Sequence, residues 1–546
     1  MTLGEKISLL RSGAQMSQEQ LAEKLGVSRQ SVSKWESGKN APDLLTILKL
    51  SEYFNISTDD LLHDDVPLSA TYFEPLFKPK ENVNYNLKYF GTDGFRGEAN
   101  ETLTAIHAFK IGRFLGWYYS SPMSGNKEPN HQTKIVIGKD TRRSSYMFEY
   151  AIVAGLTSSG ADAYMLHVTT TPSVAYAVRQ DDFDCGIMIS ASHNPFYDNG
   201  IKLINAYGEK MDDYTLSLVE KYIDGDVGYF DFEEDLPLAK REKIGKTIDY
   251  SAGRNRYVGY LISLAANSYK KMDIALDCAN GSSWMIAHSV FTALGAKVHV
   301  INDQPDGLNI NKQAGSTHIG ALQKFVRESH CDVGFAFDGD ADRCIAVDEN
   351  GEIINGDHII YALAHMLKKR GLLKGNRVVA TIMSNMGFFK ALDDAGIECI
   401  QTTVGDKYVH EAMTQNDVSI GGEQSGHIII RKYATTGDGI LTAIMLAEYM
   451  EESKLPLSEL CAPVKMYPQT VKNVTVKSKT AVTSDPEVIA EKDKISEELG
   501  ADGRILLRES GTEPVVRIMV ECSSQRACES YAARLADKIV ALGHAK

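Results

Sequence analysis

Apolar runs of about five residues recur through the middle of the chain, each closed by charged or turn-forming residues. Lys134-Ile135-Val136-Ile137-Gly138, Cys185-Gly186-Ile187-Met188-Ile189, Asp273-Ile274-Ala275-Leu276-Asp277 and Arg377-Val378-Val379-Ala380-Thr381 have the length of buried strands. Helical stretches separate them, one running from Asp438 to Met450. Strands alternating with helices predict doubly wound α/β domains. From about Tyr467 the pattern becomes strand, helix, two strands, helix, which predicts a smaller α+β unit.

The first 65 residues follow a different pattern. Ser17 opens a run with an N-cap serine and Gln20 three positions on, a capping box, and the run turns at Gly26. Ser28 opens a second short helix in which Val32 and Trp35 face inward. That leaves Ser28, Arg29, Gln30, Ser31, Ser33 and Lys34 as candidate DNA-contacting positions. Two short helices around a glycine turn predict an all-α helix-turn-helix domain over residues 1–65. With Trp35-Glu36-Ser37-Gly38 and Pro42-Asp43-Leu44, the stretch resembles the Cro-like repressor family, which implies duplex DNA as a partner and a possible homodimer on paired half-sites. Met1 to Asp65 holds 7 Lys+Arg against 10 Asp+Glu, a net of −3, so a protein-interaction module stays open as the alternative. Pro67, Pro75 and Pro79 and the polar run from Glu81 to Asn86 predict a linker over 66–87.

Composition narrows the class. At 546 residues with a net charge of −14, the chain reads as a soluble multidomain protein without general nucleic-acid affinity. Its 8 cysteines include no Cys-x-x-Cys, which predicts reduced thiols in a cytoplasmic protein. The N-terminus enters an amphipathic helix rather than a signal peptide, and no apolar stretch reaches bilayer length, so no membrane partner is expected.

Two stretches carry chemistry. Ser190-Ala191-Ser192-His193-Asn194-Pro195 follows the apolar run ending at Ile189, where open α/β sheets place ligands. It reads as an exposed serine on a turn, Ser192 or Ser190. Asp338-Gly339-Asp340-Ala341-Asp342-Arg343 places three carboxylates at alternate positions. In an extended backbone these would point the same way and converge on a hard divalent cation such as Mg²⁺. A Ca²⁺ loop is excluded, because its sixth position needs glycine and holds Arg343.

With these blocks in view, the chain resembles the α-D-phosphohexomutases from about Lys88 to Val540. Gly91-Thr92-Asp93-Gly94-Phe95-Arg96-Gly97 resembles the family's opening loop, and Ser190 to Pro195 its phosphoserine loop. Asp338 to Arg343 resembles the metal loop. Gly422-Glu423-Gln424-Ser425-Gly426-His427 resembles the sugar loop, and Arg508-Glu509-Ser510-Gly511-Thr512-Glu513-Pro514 with Arg517 the phosphate loop. The resemblance implies three α/β domains (88–245, 246–350, 351–465) and a smaller fourth (466–546) around one cleft. It implies Ser192 as phosphoryl carrier, with its phosphate joining Asp338, Asp340 and Asp342 on Mg²⁺. Arg96, Lys202 and His193 would serve the reacting groups. Arg343, Glu423, Ser425, His427, Arg508, Ser510, Gly511, Thr512 and Arg517 would bind substrate.

The implied activity is transfer of a phosphoryl group within a hexose or hexosamine phosphate, through a bisphosphate intermediate. Gln424 and the following Thr435-Thr436-Gly437-Asp438-Gly439 resemble the glucosamine-phosphate branch, which implies exchange of glucosamine 6-phosphate and glucosamine 1-phosphate. Glucose or mannose phosphates are the alternative substrates. A transcription regulator that only senses a sugar phosphate is the alternative from another class, disfavoured because Ser192 and all three aspartates are present.

Overall fold

The computed structural model describes all residues except 1, 14–15, 37, 55–57, 63–84, 86, 125–130, 231 and 511–513. Most of the expected linker therefore lies outside the described residues. The chain divides into two compact units, residues 1–257 with 305–310, and 258–304 with 311–546.

In the first unit the N-terminal domain is all-α, with helices Leu3–Gly13, Gln18–Leu25, Arg29–Glu36, Leu44–Phe54 and Thr58–Leu62. The capping box is formed: Gln20 N donates to Ser17 Oγ at 3.1 Å, and Ser17 N to Gln20 Oε1 at 2.7 Å. Ile7, Leu21, Leu25, Val32, Trp35, Leu50 and Phe54 make its core. Arg11 grips Glu36 through Nε at 2.5 Å, and Gln18 Nε2 donates to the same carboxylate at 2.7 Å. These contacts tie three helices together at the edge of the core.

The α/β domain that follows has a seven-stranded sheet ordered Phe90–Gly91, Gly94–Glu98, Asp198–Asn205, Cys185–Ile189, Lys134–Lys139, Asp162–Val168, Thr247–Asp249. The four strands from Cys185–Ile189 to Thr247–Asp249 are parallel, and the other three add antiparallel. Successive strand residues face opposite layers. Ile135 and Ile137 pack with Phe114, Phe148 and Ile152 of the helices on one side, and Val136 packs with Val174 and Val178 on the other. That alternation is why both faces of the sheet are covered.

The second unit holds two more mixed sheets. One is ordered Ile353–Ile354, Cys344–Val347, Val333–Phe337, Asp273–Asp277, Lys297–Ile301; the other Glu398–Thr402, Arg377–Thr381, Ile420–Gly422, Ile428–Ile430. Its last domain is an antiparallel sheet ordered Gln469–Thr475, Val515–Cys522, Gly503–Glu509. One helix was expected after the first of these strands, and there are two, Lys479–Thr483 and Pro486–Leu499. Asp485 and Pro486 cause the break, since Asp485 caps a new helix whose first turn takes the proline. Among the described residues no helix is long and apolar enough to cross a membrane, and all eight cysteines are free thiols.

Candidate active site

The loop 190–195, expected to carry the phosphoserine, hangs from a strand, Cys185–Ile189, that is buried along its whole length. Ser190 Oγ accepts from Ser192 N at 2.9 Å, so the first serine builds the turn. Ser192 takes φ +50°, a left-handed conformation that serine adopts at a cost. Its Oγ lies 3.3 Å from His193 Nδ1. The fully buried Arg142 is ion-paired to Asp140 and donates to Ser192 O at 3.1 Å and Asn194 O at 2.6 Å. A buried guanidinium thus pins the loop from beneath by its carbonyls.

Beside that loop, Asp93 gathers three cations. Arg96 contacts it through Nη2, Lys202 Nζ lies 3.1 Å away and Lys210 Nζ 3.4 Å away. Strand register makes the cluster: Arg96 stands opposite Gly200 and Lys202 opposite Met188. Arg96 also donates to Asn194 Oδ1 at 3.1 Å, linking the opening loop to the phosphoserine loop. Gly94 (φ +89°) permits the approach, since a Cβ there would sit 2.6 Å from Ile201 O.

The three aspartates do converge, but not by strand alternation. Val333–Phe337 ends before Asp338, and Asp338 to Asp342 form a turn in which Ala341 N donates to Asp338 O at 3.1 Å and Ala341 takes φ +56°. Turning, rather than extension, brings one oxygen of each carboxylate within 4.8 Å of the others, and all three residues are buried. Buried carboxylates so close repel one another unless a cation lies among them. The hard oxygen set fits a small divalent ion.

The loops 338–343 and 422–427 are sewn together through their backbones. Cys344 N donates to Gly426 O and Gly439 N to Ala341 O, both at 3.0 Å, and Arg343 bridges His427 in an antiparallel pair. His427 is buried, 3.6 Å from Asp406, with Gly437 against its ring. A Cβ at 437 would come within 2.4–2.6 Å of three imidazole atoms. Glu423 is half-buried, its Oε1 accepting from Gly405 N at 3.1 Å, and Ser425 is exposed. Gln424 points elsewhere. Its Nε2 donates to Asp357 Oδ2 at 3.3 Å, where Asn385 N also donates at 2.8 Å. Burial pushes the Asp357 carboxyl up to about 6.

In the last domain, Arg508 and Arg517 are directly opposed across the Gly503–Glu509 and Val515–Cys522 ladder. Like charges facing each other destabilise a sheet, and an anion between them would relieve this. Burial and the Arg517 charge lower the Arg508 pKa, while Glu423 opposes that shift. Ser510 is buried, its N donating to Val515 O at 3.0 Å. Gly511 and Thr512 lie outside the described residues.

Family comparison gives these loops their context. Four descriptions match in order: phosphoglucomutase/phosphomannomutase alpha/beta/alpha domain I over residues 87–227, domain II over 255–351, domain III over 355–467, and the C-terminal domain over 472–538. The phosphoglucosamine mutase of Lachnospira eligens is 61% identical over 458 residues, covering 84% of this chain and 99% of that protein. The chain belongs to the phosphoglucomutase/phosphomannomutase family.

As a phosphohexomutase, it is an intramolecular phosphotransferase. The phosphoglucosamine mutase of Bacillus subtilis is 44% identical over 83% of this chain and 98% of its own length. Among solved structures, a phosphoglucomutase/phosphomannomutase family protein from Burkholderia thailandensis shares the fold. It has a TM-score of 0.68 and 22% identity over 84% of this chain and 98% of its own. The Aspergillus fumigatus N-acetylphosphoglucosamine mutase, solved with GlcNAc-6P and magnesium, does so at a TM-score of 0.60 and 17% identity over 84% and 96%. A helix-turn-helix description matches residues 9–61, outside the mutase domains. There Ser28, Arg29, Gln30, Ser33 and Lys34 are exposed and Ser31 is half-buried. Ser28 Oγ accepts from Ser31 N at 3.2 Å and lies 2.9 Å from Ser31 Oγ, so those two serines hold the helix start.

Three phosphohexomutase residues escaped the sequence reading. Asp93 lies inside a quoted motif without a role, Lys210 in no motif, and Arg142 in the charged run Lys139 to Arg143. That run ends the buried strand Lys134–Lys139, where an α/β sheet places functional groups. Its position was the signal that could have found Arg142.

Proposed function

We propose that this phosphohexomutase interconverts glucosamine 6-phosphate and glucosamine 1-phosphate. The observation that carries the reading is the 61% identity, over nearly the whole of its relative, to a protein described as phosphoglucosamine mutase. The Gly-Glu-Gln-Ser-Gly-His loop agrees with it.

In this reading Ser192 Oγ carries the phosphoryl group. A sugar hydroxyl attacks the phosphorus, the bond to Oγ breaks as the new P–O bond forms, and the hydroxyl proton leaves to a neighbouring base. Lys202, which must be in its neutral amine form to accept it, is the candidate for that proton, and Arg96 stabilises charge on the phosphoryl oxygens. The bisphosphate then presents its other phosphate, which returns to Ser192. Arg508 and Arg517, with Ser510, Gly511 and Thr512, hold whichever phosphate is not reacting. Glu423 and Ser425 hold sugar hydroxyls, while Arg343 and His427 line the same loop. Asp338, Asp340 and Asp342 would hold Mg²⁺, which when bound offsets charge on the transferring oxygens.

The first 65 residues bind duplex DNA in this reading, as paired copies through the helix Arg29–Glu36. Support comes from the helix-turn-helix match and from the exposed Arg29, Gln30 and Lys34 on that helix. Comparing kcat/KM for glucosamine, glucose and mannose phosphates tests the substrate. A preference for either neutral hexose would overturn the amino sugar and leave the mutase class standing. Selection from random duplexes with the full-length protein tests the DNA role; enrichment of no sequence at low salt would overturn it.

A further inference from the structure

Gln424 is tied down twice. Its carbonyl accepts from Gly356 N at 3.0 Å, and its Nε2 donates to Asp357 Oδ2 at 3.3 Å. Both partners begin the helix Gly356–Lys369. The approach is close: a Cβ at 356 would sit 2.0 Å from Glu423 O. Glycine there is what lets the loop 422–427 lie on the end of that helix.

Asp357 passes the tie onward. It is fully buried, and the oxygen that Gln424 meets also accepts from Asn385 N at 2.8 Å. The Asn385 side chain pairs with Tyr467, donating to its carbonyl and accepting from its N, both at 2.9 Å. Tyr467 ends the stretch matched to domain III, just before the C-terminal domain begins at 472. Beside Asn385, Met386 N donates to Glu521 Oε2 at 3.2 Å. Arg504 donates to the same carboxylate at 2.6 Å, to Ile382 O at 3.1 Å and to Ser384 O. Arg504 and Glu521 stand on the strands Gly503–Glu509 and Val515–Cys522, which also carry Arg508 and Arg517. A line of hydrogen bonds thus runs from Gln424 into the joint that bears the last domain.

An amide engaged by Asp357 is turned away from a sugar. We propose that Gln424 is a positioning residue of the mutase reaction: it holds Glu423 and Ser425 in register with Arg508 and Arg517, and it does not read the sugar's amine. This rests on the substrate-binding roles given to those four residues above, but not on which hexose is preferred. A substrate gripped at its sugar and at its phosphate needs both grips at one spacing, and here a different domain carries each. Methionine at 424 would have similar length and no donor. Losing such a tie weakens ground-state and transition-state binding alike, which raises KM and spares kcat.

The test is steady-state kinetics at pH 8 on the full-length protein and three variants: Gln424→Met, Gln424→Glu, and Gln424→Glu combined with Asp357→Asn. Glucosamine, glucose and mannose 6-phosphates each serve as substrate or, where turnover is slow, as competitive inhibitor. Gln424→Met should raise KM or Ki about tenfold for all three, by factors agreeing within threefold, with kcat within twofold of the parent. The Ki of inorganic phosphate, which can meet the arginines without the loop 422–427, should stay within twofold; a general loosening of the fold would move it as well. Gln424→Glu sets one carboxylate against another and should raise KM further. Adding Asp357→Asn should recover threefold or more of that rise. A rise confined to glucosamine phosphate would make Gln424 a reader of the amine and overturn the proposal. So would an unchanged KM, a fall in kcat alone, a matching change in the phosphate Ki, or no recovery in the double variant. Equal factors in a protein that prefers a neutral hexose would overturn the assigned substrate and uphold the role of Gln424.

Discussion

Ser190 and Ser192 differ in what their hydroxyls do. Ser190 Oγ holds the turn together by accepting from Ser192 N, while Ser192 Oγ meets a histidine ring. Ser192→Ala should therefore lower mutase kcat by at least ~10³-fold, the scale on which loss of a nucleophile is felt, with unchanged melting. Ser190→Ala should lower kcat less and reduce Tm, because it leaves the left-handed Ser192 less supported. Activity assays with parallel thermal melts separate the two. Asp340→Asn should weaken Mg²⁺ activation by roughly 10-fold or more, read as a shift of the Mg²⁺ titration midpoint after EDTA treatment. The turn after Ile189 and the closeness of the three aspartates were legible because each lies in a local run whose composition advertises a turn or a cation. The serine expected to be exposed is buried, Ser190 at 0% and Ser192 at 1%, because the turn folds back under the loop. Arg142 was signalled only by its place at the end of a buried strand, since its partners Ser192 and Asn194 lie 50 and 52 positions away. The aspartate turn was misread in shape because Asp-Gly-Asp-Ala-Asp alternates like a strand. Only the +56° φ at Ala341 distinguishes it.

At the scale of elements, Asp357 begins the helix Gly356–Lys369 next to the sugar loop and meets both Gln424 and Asn385. Its carboxyl is raised by burial to about 6 from the usual 3.8. A raised acid contributes stability fully below its unfolded pKa and loses it as pH rises through the folded pKa. Between pH ~4 and ~6 this group alone should cost on the order of 3 kcal/mol. Asp357→Asn should therefore flatten the fall in Tm over that window and raise Tm at pH 7.5 relative to the parent. Scanning calorimetry at pH 4.5, 6 and 7.5 checks the sign. Equal slopes in the two proteins would mean that Asp357 is not titrating there. In the N-terminal domain the helix Arg29–Glu36, proposed above to meet DNA, faces a different demand. Gln30→Ala should relax sequence selection and Lys34→Ala should weaken all duplexes alike, as band shifts on selected and random DNA would show. Helices with formed caps, such as the one opened by Ser17, were read correctly from sequence. The split after Thr483 was missed because one helix was read across this stretch, although Thr480 to Pro486 (Thr-Ala-Val-Thr-Ser-Asp-Pro) is poor in helix formers and Asp485-Pro486 marks the restart.

On the scale of the whole chain, the helix-turn-helix and the mutase domains match separate families on separate stretches. Removing residues 1–65 should abolish duplex binding and leave kcat/KM for the sugar phosphate within about twofold, a change smaller than ~0.5 kcal/mol in transition-state binding. A large loss of turnover in the shortened protein would mean that the two parts work as one. The order of the blocks from Gly91 to Arg517 made the four-domain architecture legible, since five motifs in sequence constrain it more than any one alone. The Asp93 cluster was not visible that way. It depends on register between strands more than 90 residues apart in the chain, which no local pattern records.

The seams joining Cys344 to Gly426, Ala341 to Gly439 and Arg343 to His427 also bear on re-engineering. Residues 341–344, 423–427 and 437–439 form one transplantable module, because each supplies backbone partners to another. Exchanging only the six-residue sugar loop with a relative of different preference would leave foreign amides facing native carbonyls. A graft intended to change the accepted sugar would have to carry all three segments at once.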